Sequence, residues 1–270
     1  MLSVNAVAIA LVGAIVAQSL HELCHGIVAL LAGGRWEWIS FFAVSVSRTS
    51  DLGLGQNLMV AGSPALVDIA LGAVAVALFE LRWARRHPAF RLFFLYIAAF
   101  SLFTGFGHLL ADPILYHAGN NLAEWQQVIA LLGGDWMVRA AISLIGAAGL
   151  LRSFSWISQA VLSFVEPISE LSDRPAYAFA FLAVPYFGVN LVFSLLTLRA
   201  SSPAMALADP WLESAGFFIC FLAVAFGMKR TPSSSNPTPI PGQILVSWGI
   251  AAILATTVVT FIFLPRITLG

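Results

Sequence analysis

The sequence predicts an all-α polytopic membrane protein, with six to seven transmembrane helices and a small interfacial β-hairpin-like segment after the first of them. Three observations carry that expectation. Of 270 residues, 60% are hydrophobic and only 10% are charged, whereas a water-soluble domain needs roughly 25% charged residues to clothe its surface. The mean hydropathy is +0.91. The apolar residues also gather into runs of about 20, the length that crosses the hydrocarbon layer as a helix. The lipid bilayer is therefore the first partner implied. The formal net charge of zero argues against nucleic acid, which requires a basic surface. Cys24 and Cys220 both lie in apolar runs and define no redox compartment.

Taken in order, the first run spans Val4 to Ala32. It lacks a basic leading flank and stays apolar past any cleavage point, so it reads as a retained helix rather than a signal peptide. From Gly33 to Gly55, Trp36, Trp38, Phe41, Val44 and Val46 alternate with polar residues, which suits a hairpin at the interface. The second span is Asn57 to Leu81, interrupted early by Ser63-Pro64. A basic cluster of Arg82, Arg85, Arg86, His87 and Arg91 leads into the third, Arg91 to Ala111. Asp112 to Gly134 is polar, with Asn120, Asn121, Glu124, Gln126 and Gln127, and reads as a loop with a short helix from Leu122 to Leu132. The fourth span runs from Asp135 or Trp136 to at least Leu151. Arg152 to Pro175 reads as either its extension or an amphipathic interfacial helix. Ala176 to Leu198 and Trp211 to Met228 are the fifth and sixth, and Ile244 to Leu264 a seventh.

These elements divide into a core over 1–152, additional helices over 153–230, a Pro- and Ser-rich linker over 231–243, and a C-terminal transmembrane helix over 244–264. Arg82, Arg85, Arg86, Arg91, Arg152, Lys229 and Arg230 share one side of a seven-span arrangement. Arg35, Arg48, Arg199 and Arg266 share the other. The excess favours a cytoplasmic N-terminus.

One motif carries chemistry. His21-Glu22-Leu23-Cys24-His25 has the pattern H-E-x-x-H. Residues four apart share a helix face, so both imidazoles can meet one ion, and the intervening Glu stands beside them as a base toward water. With five His and seven Glu in the chain, chance yields on the order of 0.002 such matches. Insertion adds weight, because each ionised group placed mid-membrane costs about 3 kcal/mol. Gln18, one turn before His21, extends the polar stripe. Zn2+ suits two imidazoles, a carboxylate and an exchangeable water. Cys24 is a soft donor in the same stretch, though a buried apolar role is the commoner one.

Here the chain resembles the site-2 protease family of intramembrane zinc metallopeptidases. The motif residues His21, Glu22 and His25 lie in the first long span, a β-like segment from Arg35 to Asp51 follows it, and Ala61-Gly62-Ser63-Pro64 opens the next span. The similarity covers roughly residues 1–150. It implies His21 and His25 as zinc ligands and Glu22 as the general base. It also implies an Asp as third ligand within an Asp-Gly pair, and this sequence has no Asp-Gly pair. Asp135, behind Gly133-Gly134 at the start of the fourth span, is the candidate third metal ligand, with an N-cap role as the competing reading. Asp112 is the alternative ligand, or else the carboxylate partner of His108 at i, i+4 spacing. Asp68, inside the second span, reads as a helix-to-helix hydrogen-bonding group, and Asp209 as a loop residue.

The expected function is that of a zinc-dependent endopeptidase cutting a membrane-embedded protein or peptide substrate. By analogy with the family, a bacterial inner membrane would be its site. The alternative is a catalytically silent zinc-binding membrane scaffold or regulator of the same fold. A transporter using His and Asp as an ion relay gains nothing specific from the H-E-x-x-H spacing. The hairpin edge over Arg35 to Asp51 is a candidate surface for strand addition by an unwound substrate.

Overall fold

In the computed structural model, residues 2–47, 52–117, 124–164, 176–177, 179–197, 219–228, 246–263 and 267–268 are described. Among them, five helices are long and apolar enough to cross a membrane. These are α1 (Leu2–Leu31), α2 (Leu54–Glu80), α4 (Pro88–Leu115), α6 (Trp136–Leu162) and α7 (Val184–Thr197), the last entered through a π-helical turn, Phe179–Ala183. Between them lie a short helix α3 (Arg82–Arg86) and an eight-residue helix α5 (Glu124–Leu131). Two shorter apolar helices follow, α8 (Ile219–Met228) and α9 (Val246–Val258), the latter running on as a π-helical turn over Val259–Phe263. The protein is a polytopic membrane protein of the all-α kind.

The bundle centres on α1, which packs against α2, α4, α7 and α9. α4 has the most buried surface, with Leu92, Leu95, Tyr96, Ala98 and Ala99 almost wholly enclosed. α6 packs on the outside of α4. It extends unbroken to Leu162, so the stretch after Arg152 is an extension of the fourth span as far as that residue. Arg152 therefore sits exposed within a helix rather than at its end. The linker over 231–243, Asn120, Asn121, Asp209 and the charges Arg48, Arg199, Lys229, Arg230 and Arg266 lie outside the described residues.

α1 ends at Gly33, whose positive φ of 86° lets the chain turn back, with Gly34 N–H donating to Ala29 O. The expected hairpin follows at once. β1 (Arg35–Ile39) pairs antiparallel with β2 (Val44–Ser47), with a register shift between Trp36 and Trp38. A third strand, β3 (Ile267–Thr268), comes from the far end of the chain and pairs with the other edge of β1 at Trp38 and Ile39. No local pattern foretells that pairing. The sheet is pinned to α1 because Gly26 has no Cβ: the Trp36 indole occupies the space where one would stand. Phe41, buried in the hairpin turn, packs edge-on to Phe193 of α7 at 5.3 Å between ring centroids.

Candidate metal centre

The site is assembled from α1, α2, α4 and α5, and each supplies its group for a local reason. On α1 the one-turn spacing puts His21 and His25 side by side, with ring centroids 5.5 Å apart. On α2, Asp68 is buried and its Oδ2 lies 2.9 Å from His21 Nδ1. α2 can carry Pro64 because the carbonyl its ring frees is engaged otherwise: Ser63 Oγ donates to Val60 O at 3.5 Å. α5 is the short helix that the sequence places, over Leu122 to Leu132, within a polar loop. It lies instead against α2 and α4, seated where Gly62 leaves room for Trp125 and Val128.

That seating brings Glu124 to the histidine pair. Its Oε1 lies 2.9 Å from His21 Nε2 and 2.8 Å from His25 Nε2. One ligand atom from each of the three residues falls within 4.8 Å of the others. The second oxygen of Glu124, Oε2, is buried and has no hydrogen-bond partner among the described residues. Burial alone would lift this carboxyl above its ordinary range. The hydrogen bonds of His21 and His25, with the charges of His21 and His108, outweigh it and hold the group well below that range, as an anion.

The donor set suits a divalent cation. Two imidazole nitrogens and a carboxylate oxygen form the three-ligand arrangement of catalytic zinc sites, which keep a further position open. With His21 Nδ1–H donating to Asp68, its Nε2 is turned toward the centre, as is usual when a carboxylate backs a ligating histidine. A cation between Nε2, Nε2 and Oε1 would take the place of the protons that otherwise join them. The unpartnered Oε2 of Glu124 is a further donor available to such an ion.

The carboxylate joined to the pair is thus Glu124, and neither Asp135 nor Asp112 takes that place. Asp135 stands at the N-cap of α6, its Oδ1 accepting from Met137 N–H at 2.6 Å. An orphan amide at a helix start competes well for a short carboxylate on the preceding residue. Asp112 is buried near the end of α4, where its Oδ2 accepts from Trp125 N–H at 3.1 Å and lies 3.3 Å from His108 Nδ1. In the sequence, Glu124 falls in the short helix expected over Leu122 to Leu132, which forms as Glu124–Leu131, but nothing there marks it as a ligand. The available signal is a carboxylate opening a short helix beside Trp125, within reach of the first span only if that helix folds inward.

Glu22 is buried on the same stretch of α1, its Oε1 accepting from Gln18 Nε2 at 2.9 Å. It lies within electrostatic reach of His21, His25 and Glu124. Cys24 is buried beside Ser63. Comparison with family profiles, curated proteins and solved structures finds no match to this chain.

Proposed function

We propose that this chain is an intramembrane zinc metallopeptidase of the site-2 protease kind, hydrolysing a peptide bond of a membrane-embedded substrate. The observation that carries the reading is the convergence of His21 Nε2, His25 Nε2 and a Glu124 oxygen from two distant elements. His21, His25 and Glu124 would hold the ion, and Asp68 would fix the tautomer and orientation of His21. When bound, zinc supplies Lewis acidity, polarising a carbonyl and bringing the pKa of water to about 7.

Glu22 then acts as the base. It takes a proton from the attacking water and returns it to the leaving amine, and Gln18 holds the carboxylate in place between the two steps. The outer strand β2 of the β2–β1–β3 sheet would offer backbone groups to a substrate segment whose own helical bonds have opened. A bacterial inner membrane is the location consistent with this reading.

A second reading has its own support. Glu22 is engaged by Gln18 rather than by the ligand cluster, which would suit a zinc-binding membrane scaffold with no hydrolytic step. One variant separates the two. In a peptidase, Glu22→Gln keeps stoichiometric zinc but lowers cleavage of a transmembrane substrate by about 100- to 10,000-fold, the usual worth of general-base catalysis. Parallel metal analysis and a cleavage assay check it. Unchanged cleavage by the Glu22→Gln variant removes the peptidase mechanism, and zinc absent from the native protein removes both readings.

A further inference from the structure

We propose that Asp112 is a positioning residue for Glu124: by accepting the Trp125 N–H from across the α4–α5 interface, it sets where α5 presents its carboxylate to His21 and His25. The proposal rests on the metal-centre reading only in taking Glu124 as a ligand.

The need for such a residue follows from the size of α5. At eight residues, the helix is far shorter than the ~12–15 residues at which isolated helices become even marginal in water, so neighbours must hold it. Its apolar contacts with Gly62 of α2, through Val128 and Trp125, press it inward but carry no direction along or about its axis. A directional tie at the start of the helix, independent of the ligand contacts, is the hydrogen bond from Trp125 N–H to Asp112 Oδ2, at 3.1 Å. Trp125 immediately follows Glu124, so any shift of that amide is passed to the carboxylate almost undiminished. Metal sites tolerate displacements of only about 0.2 Å in ligand distance.

Trp125 N–H is also one of the orphan amides of a helix start, which need an acceptor when buried. Asp112 provides it in trans, from a different helix. The carboxylate is itself held. His108, one turn earlier on α4, brings Nδ1 to 3.3 Å from the same Oδ2. A chain of contacts therefore runs from His108 through Asp112 and the Trp125 amide to the ligand oxygen. Asp112 touches none of His21, His25 or Glu124 in it.

The test uses the full chain in detergent micelles, with zinc alone titrated against a competing chelator. Asp112→Ala is expected to weaken zinc binding by about 10- to 100-fold, the range seen when an outer support of a metal ligand is removed. Asp112→Asn keeps an oxygen that accepts from Trp125 N–H and is expected to stay near native affinity. Native affinity in the Ala variant overturns the proposal. So does an Asn variant as damaged as Ala, since the negative charge or direct ligation would then be what counts. Thermal unfolding gives a second readout. A merely structural role lowers Tm of the zinc-free and zinc-loaded forms alike, whereas positioning shrinks the rise in Tm that zinc produces. An undiminished rise in Asp112→Ala also overturns it. Glu124→Ala is run alongside: if that variant retains zinc, the ligand assignment is what fails, whatever Asp112 does.

Discussion

The two halves of the bundle face the same solvent problem and solve it differently. Along α6, α9 and the π-helical turn that continues α9, most serine and threonine hydroxyls with a described hydrogen bond turn back on their own helix. Ser153 donates to Gly149 O, Ser155 to Leu151 O, Thr256 to Ala252 O, Thr257 to Ile253 O and Thr260 to Thr256 O. Ser158 reaches a neighbour as well, donating to Val224 O of α8 at 3.0 Å, and on the same helix Ser143 donates to Leu110 O and Arg139 to Pro113 O of α4. In α1, α2, α4 and α5 imidazoles and carboxylates reach partners on other helices, His21 with Asp68, both histidines with Glu124 and Asp112 with the Trp125 amide, while Glu22 with Gln18 and Asp112 with His108 also pair one turn apart on their own helices.

The difference is one of capacity. A hydroxyl can satisfy itself at a local carbonyl without constraining tertiary structure. A carboxylate in an apolar setting finds no free backbone donor inside a helix, so it needs a donor side chain nearby or a partner across an interface. Polar groups of the first kind are compatible with many packings, and those of the second kind specify one.

Three substitutions probe that contrast, beginning with the largest effect. Asp68→Ala strips His21 of its backing carboxylate and is expected to lower zinc affinity by about 10- to 100-fold. Chelator competition measures it, and an affinity equal to native would put Asp68 on the side of the merely structural groups. Asp135→Ala removes the N-cap of α6. Its expected cost is about 0.5–2 kcal/mol of stability, with zinc affinity unchanged. Denaturant unfolding in micelles checks the first part, and loss of zinc would move Asp135 back among the ligands. Thr257→Val, at an exposed self-satisfied hydroxyl of α9, is expected to shift stability by less than about 0.5 kcal/mol. A larger cost would show that hydroxyls in this half do constrain the packing.

Much of the fold was legible because lipid imposes one-dimensional rules. A run of about 20 apolar residues has few alternatives to a helix, and the spans found at α1, α2, α4 and α6 follow those runs closely at most of their ends. Gly33 and the alternation after it announced the hairpin. The pairing of Ile267–Thr268 with β1 was not legible, since nothing in a two-residue strand names a partner so distant in sequence.

The candidate site divides the same way. His21, Glu22 and His25 could be read as a unit because helix geometry alone puts them together. Depth along the spans is a poor guide to the third carboxylate. Asp135 looks well placed at a span start, yet the amide of Met137 takes its side chain. Glu124 looks remote in a polar loop until α5 folds inward against α2.

What the amino-acid order determined unaided was therefore everything governed by neighbours along the chain: the spans, the helix end at Gly33, the hairpin, and two imidazoles with a carboxylate on one stretch of α1. What only tertiary structure decided was which acids meet the imidazoles. Asp68 and Glu124 lie 47 and 103 residues from His21. Their meeting depends on how closely α2 and α5 approach α1, which is set by packing at places such as Gly62 and not by spacing along the chain.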